Sequence, residues 1–178
     1  MIELIANPKS KQYHTFKNTV IGSNFPWAWI EKTVSADQPI PDGHEEFGFY
    51  CHSFLRRPGK DLNEKSFYSK EESPIVKEAH DLVVEILESN QVRFDLIFRI
   101  AVNCVHPTES NKYSPPHEDH NWPHSNLLVY LTDPYKGETV VEDKKFFGKE
   151  DDAIIFQGMH YHRPPISNRR IVLVATFI

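Results

Sequence analysis

The apolar positions change their period part-way along the chain. Ile75, Ala79, Leu82, Val83, Ile86 and Leu87 recur three and four residues apart, the spacing of one face of a helix. Ser73 and Pro74 stand just ahead of them, a capping residue followed by one suited to the first helical position. The spacing predicts a helix from there to about Ser89-Asn90, with its apolar face on a sheet. From Arg93 onward the pattern is that of strands. Apolar runs at 96–105, 127–131, 139–141, 153–156 and 170–177 are separated by clusters of Gly, Pro and Asp. Several short strands with turn signals between them predict an antiparallel sandwich or barrel.

The first half is less regular. Residues 1–34 read as a mixed lead-in whose notable part is Asn24-Phe25-Pro26-Trp27-Ala28-Trp29, an aromatic anchor expected to pack a loop on the core. Residues 35–72 are rich in Pro, Gly and charge and read as loop, with one strand inside 46–54. The expected fold class is α+β, mainly β. A single domain of residues 1–178 is expected, with a helix and loop support region over about 1–92 and a β core over about 93–178.

Composition narrows the classes. The chain has 178 residues with a formal net charge of -5 and no basic block, which argues against dedicated nucleic-acid binding. Its 12 Phe, 7 Tyr and 3 Trp suit a globular domain. Cys51 and Cys104 are not closely spaced and read as free thiols in a reducing compartment. No apolar run reaches the ~18–20 residues of a membrane span, and none near Met1 has signal-peptide length, so a cytoplasmic location is expected.

The candidate chemistry lies in the second half. Of 10 histidines, His106, His117, His120, His124, His160 and His162 fall in the part that reads as sheet. In an extended chain, residues two apart face the same way, so His117 and Asp119 of His117-Glu118-Asp119 point together. One imidazole and one carboxylate side by side supply two ligands for a divalent metal. A third comes from His160 or His162, which share parity, so strand geometry alone does not choose between them. A set of two His and one carboxylate leaves one face of the metal open. Arg170 heads an otherwise apolar strand. If it points inward its guanidinium needs an anion, and its planar fork suits a carboxylate.

The ordered set of His117-x-Asp119, Tyr130-Leu131, Gly137-Glu138-Thr139, Phe156 with His162 six residues on (162 − 156), and Arg170-Ile171 resembles the iron(II)/2-oxoglutarate-dependent dioxygenase superfamily. The nearest type is the small prolyl 4-hydroxylase-like oxygenases, including those of bacteriophages. The match covers residues 96–178, and more loosely Phe25 to Trp27. The resemblance implies a double-stranded β-helix, the cupin-like jelly-roll. It implies His117, Asp119 and His162 as iron ligands, with His162 preferred to His160 for its spacing from Phe156. It implies Arg170 as partner of the distal carboxylate of 2-oxoglutarate, with Tyr130 and Asn103 as further candidates for binding it. Iron(II), 2-oxoglutarate and O2 are the implied cofactor and cosubstrates, with ascorbate as reductant. The separation of His162 and Arg170, eight residues (170 − 162), is tighter than many members show.

The expected activity is hydroxylation of a C–H bond coupled to decarboxylation of 2-oxoglutarate to succinate and CO2. Arg99, His120, Trp122 and His124 are candidate contacts to the primary substrate. His120, Trp122 and His124 are otherwise expected in a polar loop at the mouth of the barrel. That substrate is a prolyl or other protein residue, a small metabolite or a nucleobase. The competing readings are a cupin-like metal enzyme without 2-oxoglutarate, a hydrolytic zinc site, and a non-catalytic jelly-roll binding protein. The first leaves Arg170 unexplained, and the usual close-spaced helical motifs of a zinc site are absent from the sequence.

Overall fold

The computed structural model describes residues 1–33, 38–58 and 69–178, so the loop expected over 35–72 lies partly outside the described residues. In chain order the elements are β1 (Glu3–Ile5), α1 (Lys11–Ile21), β2 (Ala28–Ile30), β3 (Phe49–Arg56), β4 (Lys70–Glu71), α2 (Val76–Ser89), β5 (Ile97–Val105), β6 (Ser125–Tyr130), β7 (Thr139–Val141), β8 (Lys144–Phe146), β9 (Ala153–Phe156), β10 (His160–His162) and β11 (Arg170–Phe177). The strands form a larger sheet in the order β1-β9-β6-β11-β5-β3-β2, with β4 on β3, and a smaller sheet β10-β7-β8. Every strand pairing is antiparallel. This is the antiparallel jelly-roll with supporting helices that was expected.

Strand alternation divides the molecule into layers. On β11, Ile171, Leu173, Ala175 and Phe177 join Leu127 and Val129 of β6 and Val102 and Cys104 of β5 in one cluster. The same cluster contains Tyr13, Phe16 and Val20 of α1 and Ala79, Leu82, Val83, Ile86 and Leu87 of α2, so the helices cover this face. The alternate residues Val172 and Val174 meet Leu128, Tyr130, Ile154, Phe156 and Val141 in a second cluster between the two sheets. Each fully buried aliphatic side chain of α2 contributes roughly 1.5–3 kcal/mol, more than its helix propensity alone supplies. Tertiary packing therefore holds this helix.

The helices differ from expectation in two ways. α2 starts at Val76, two residues late. Ser73 and Pro74 form a turn first, closed by the Val76 N–H on the Ser73 carbonyl at 3.1 Å, and the Ser73 hydroxyl is bonded to His52 Nε2 at 2.9 Å. The lead-in contains α1, which was not expected. Its signals are Ser10, whose hydroxyl accepts from Tyr13 N–H at 3.1 Å, and the buried face of Tyr13, Phe16 and Val20. The aromatic anchor packs as expected, with Phe25 against Trp27, His52 and Phe54. Strands β1, β2, β4, β8 and β10 have two or three residues each, too few to show alternation in sequence. Both cysteines are free thiols. Among the described residues no helix is long and apolar enough to cross a membrane.

One ionic cluster ties α1 to the turn before β9. Lys17 Nζ bonds both Glu150 and Asp151, and Tyr13 Oη donates to Asp151 at 2.6 Å. Burial works against the Asp151 charge, but the bonds from Lys17 and Tyr13 outweigh it and hold the carboxyl below its ordinary value. A depressed carboxyl stabilises the fold above the unfolded-state value of about 4, and that stability is lost as pH falls through the folded value. Asp151→Asn keeps the side chain suited to its left-handed backbone (φ 72) and removes only the charge. It is expected to lower unfolding stability at pH 7 by about 1–2 kcal/mol in urea titrations, with the difference from wild type shrinking below pH 4.

Candidate metal centre

The space between the sheets is a cavity of about 460 Å³. Its polar wall begins at an isolated antiparallel bridge of His117 to His160. His117 N–H donates to the His160 carbonyl at 2.9 Å, and His160 N–H returns the bond at 3.0 Å. The two rings are thereby brought to a centroid separation of 4.5 Å. His117 Nδ1 lies 3.0 Å from the Pro115 carbonyl, and His160 Nδ1 lies 3.1 Å from the Gly158 carbonyl. A carbonyl only accepts, so each Nδ1 carries a proton, and in the neutral ring the lone pair is then on Nε2. Gly158 has φ +84, a left-handed conformation that glycine tolerates, in the turn that sets this carbonyl beside the ring. Burial, then the neighbouring His117, pushes His160 down to about 4, so it is neutral at pH 7 as a ligand must be.

Asp119 completes this end. Its Oδ2 lies 3.7 Å from His160 Nε2, and its Oδ1 accepts from Arg99 at 2.6 Å. Arg57 donates to the Asp119 main-chain carbonyl at 2.7 Å. Burial opposes the charge of Asp119, but the field of Arg99, with smaller contributions from His160, His117 and Arg57, holds the carboxyl well below the usual range. Two lone-pair nitrogens and an ionised carboxylate therefore converge on one wall of the cavity.

Arg170 lines a small pocket that adjoins this cavity through Asn103 and His162, with only 2 % of its surface exposed. It is the first residue of β11, on the inner face with Val172 and Val174, and it sits over the Tyr130 ring at 5.4 Å. Its Nη2 donates to Thr139 Oγ1 at 3.0 Å and contacts His162 Nδ1 at 3.2 Å. Tyr130 Oη bonds the same Thr139 hydroxyl at 2.7 Å. Among the described residues Arg170 forms no ion pair, and its Nε has no partner. A guanidinium has no acceptor, so His162 Nδ1 must be the accepting nitrogen and its Nε2 carries the proton. Burial, then the charge of Arg170, keeps His162 well below its ordinary value. Asn103 of β5 lines both the cavity and that pocket, and its buried Oδ1 has no partner among the described residues.

Distances alone permit a second grouping. One ring nitrogen from each of His117, His160 and His162 lies within 4.8 Å of the other two. The hydrogen bonding separates them, because the lone pair of His162 faces Thr139 and Arg170.

The remaining expected site residues divide. Arg99 and His120 line the cavity, whereas Trp122 and His124 are not part of its lining. His120 is buried, with Nε2 bonded to Thr176 Oγ1 at 2.7 Å, and burial followed by the charge of His124 pushes it down to about 3. Trp122 stacks on it at 4.6 Å. The His120 to His124 turn is thus packed into the wall, unlike the polar rim expected, with one nitrogen of each imidazole bonded there. Arg57 and Thr139 were not singled out from sequence as site residues. Arg57 falls in the loop-like stretch 35–72 and gave no signal. Thr139 was visible only as part of Gly137-Glu138-Thr139.

No protein-family model and no curated protein matches this chain in sequence. Solved structures do match its fold. An oxidoreductase of the 2OG-Fe(II) oxygenase family from Burkholderia pseudomallei aligns with a TM-score of 0.68 at 12% identity, covering 99% of this chain and 84% of that one. The non-haem α-ketoglutarate-dependent epimerase SnoN from nogalamycin biosynthesis aligns at 0.57 and 10% identity, over 99% and 77%. A prolyl hydroxylase from Trichoplax adhaerens, in complex with a hypoxia inducible factor peptide fragment, aligns at 0.53 and 12%, over 99% and 83%. The chain has the jelly-roll fold of these oxygenase structures.

The tightest packing at the site is glycine on tyrosine. A Cβ added at Gly148 would overlap the Tyr130 ring, which carries the bond to Thr139. Gly148→Ala is expected to destabilise the fold by about 1–3 kcal/mol, the usual effect of overpacking, measured as a lower urea midpoint. Gly158→Ala, which meets nothing within 4 Å, is expected to act instead through its left-handed backbone, at about 1 kcal/mol.

Proposed function

We propose that this protein is an Fe(II)- and 2-oxoglutarate-dependent dioxygenase that hydroxylates a C–H bond of its primary substrate. The observation that carries this reading is Arg170. A cation 2 % exposed, with no carboxylate partner among the described residues, calls for an anion from outside the chain. It lines a small pocket that adjoins the cavity of His117, His160 and the ionised Asp119 and shares Asn103, His162 and Val174 with it. A cupin-like metal enzyme without an anionic cosubstrate leaves that cation unexplained, as does a bare binding protein.

The residues fit the implied metal. His117, Asp119 and His160 are the set we assign to iron(II). His160 replaces His162, the third ligand expected from sequence, because its Nε2 is the nitrogen left free to bind while His162 turns its lone pair to Arg170. The backbone carbonyls of Pro115 and Gly158 fix both ligand tautomers, the usual service of groups behind a metal ligand. Arg99 occupies one oxygen of Asp119 and leaves the other toward His160. When bound, the metal would supply the reductive activation of O2, with 2-oxoglutarate giving up CO2 and leaving as succinate. One oxygen atom enters succinate and the other enters the substrate as hydroxyl.

The chain's own contribution is orientation and exclusion of water. Arg170 receives the distal carboxylate of 2-oxoglutarate through its fork, steadied by Thr139 and Tyr130. Asn103 and His162 lie beside that molecule, and the unpartnered Asn103 amide is available to bond it. Leu128, Phe156 and Val174 give the cavity its apolar wall. His120 and Arg99 line the side where a substrate enters. A three-histidine metal set is the second reading, favoured by the 4.8 Å grouping of His117, His160 and His162.

Succinate release from 2-oxoglutarate under air, with iron(II) and ascorbate, tests the reading alongside metal binding. Wild type is expected to form succinate slowly without a primary substrate. Asp119→Ala and His160→Ala are expected to lose iron affinity by more than the ~10–100-fold typical of groups behind a ligand. Arg170→Met is expected to keep iron and raise the KM for 2-oxoglutarate roughly 10–100-fold, the loss of one charge-assisted pair. His162→Ala is expected to retain iron. Loss of iron in His162→Ala, with retention in Asp119→Ala, would install the three-histidine set. A wild type that binds neither iron nor 2-oxoglutarate would sink the proposal.

A further inference from the structure

The cavity holds more positive charge than the assigned chemistry uses. Arg57 and Arg99 both line it close to Asp119, and each contributes a positive field there. Asp119 is the carboxylate that answers them, and its side chain pairs with Arg99 alone. Arg57 reaches only the main-chain carbonyl of Asp119, at 2.7 Å. It forms no ion pair among the described residues. It is half-buried, and burial together with the charge of Arg99 disfavours its cation. Lys32 adds a third positive group to the lining, and Glu118, the other acidic residue there, is solvent-exposed. This concentration occurs in a chain whose net charge is -5. A metal on His117, Asp119 and His160 would add two more positive charges beside it.

We infer that Arg57 is the receptor for an anionic group, a carboxylate or a phosphate, on the primary substrate. The inference rests on the oxygenase reading and names the substrate class for that site. Arg99, one of the candidate substrate contacts expected from sequence, is already engaged with Asp119, so among the described residues the guanidinium with free donors is its neighbour. One N–H of Arg57 is fixed by the Asp119 carbonyl, and among the described residues the rest of the planar fork is left for two parallel bonds to an anion. The same carbonyl ties the fork to the backbone of a metal-binding residue. An anion seated there holds the rest of its molecule over the open side of the metal set, so one contact serves both recognition and aim. The second anion of the reaction, the 2-oxoglutarate distal carboxylate, has its own cation in Arg170 on β11. Two separate cations then keep cosubstrate and substrate from exchanging places.

The test uses protein loaded with Zn(II), which does not react with O2, and saturated with 2-oxoglutarate, so that the Arg170 subsite is filled. N-acetylglycine, methyl phosphate and the neutral N-acetylglycinamide are titrated separately and followed by two-dimensional NMR of the labelled protein. Saturable binding of one or both anions, and not of the amide, is expected, and which anion binds distinguishes carboxylate from phosphate. Arg57→Met is expected to weaken that binding roughly tenfold, with Arg57→Lys restoring part of it and both keeping the Zn(II) and 2-oxoglutarate affinities of wild type. The inference is overturned by anion binding equal in Arg57→Met and wild type, or by no saturable anion binding in wild type. It is also overturned if Arg57→Met loses Zn(II), since Arg57 then serves only to hold the Asp119 turn. Wild type that takes up neither Zn(II) nor 2-oxoglutarate instead fails the oxygenase reading itself, and the substrate class falls with it.

Discussion

A strand shows each face only at every second residue, and in this molecule that constraint on β11 separates the core from the site. Ile171, Leu173, Ala175 and Phe177 are committed to the helix-covered side. Arg170, Val172, Val174 and Thr176 are left for the space between the sheets. The same division runs through β5, where Val102 and Cys104 face the helices and Arg99 and Asn103 face the cavity. A one-residue slip of either strand would put a guanidinium into the apolar layer and a leucine or valine into the site. The continuous pairing of β11 with both β5 and β6 makes that slip costly, and so the apolar half of the sheet holds the polar half in register.

Once polar groups are inside, each needs a partner, and the partners set the chemistry. Asp119 stays ionised at low exposure because Arg99, together with His160, His117 and Arg57, outweighs the penalty of burial. His160 stays neutral because burial and His117 both act against its cation. The proposed metal set and the proposed anion receptor Arg170 therefore sit in surroundings tuned in opposite senses. Arg170 Nε, Asn103 Oδ1 and His120 Nδ1 are among the buried atoms without partners among the described residues, and all three belong to residues that line the cavity or its adjoining pocket. A buried polar atom without a partner is costly in a finished core and expected in a site that awaits a ligand.

Much of this was legible in the sequence because it depends on period. The apolar run over 170–177 and the helical spacing of 75–87 identified β11 and α2, and the parity of His117 and Asp119 placed them together. What escaped was set by contacts between distant segments or by very short elements. α1 was overlooked although Ser10, Tyr13, Phe16 and Val20 carried its cap and face, because its polar residues dilute the pattern. Arg57 sits at the end of β3 beside a stretch rich in turn signals, and only the fold brings it to the Asp119 carbonyl. His120 and His124 read as a polar rim, yet their partners Thr176 and the Trp122 carbonyl draw them into the wall.

The choice between His160 and His162 shows where parity stops being informative. Both belong to β10, and both side chains enter the same cavity, as residues two apart on a strand must. Their difference is one of position along the strand relative to partners on other strands. His160 pairs across to His117, and His162 pairs across β7 to Thr139. The first pairing puts one imidazole beside another whose lone pair is also free. The second puts an imidazole against a hydroxyl and a guanidinium, and a donor-only neighbour fixes which nitrogen is protonated. Two histidines alike in residue type, strand and facing are thus given different roles by what stands opposite them. The metal set we propose rests on hydrogen-bond partners that the cross-strand register supplies and that no spacing within β10 contains.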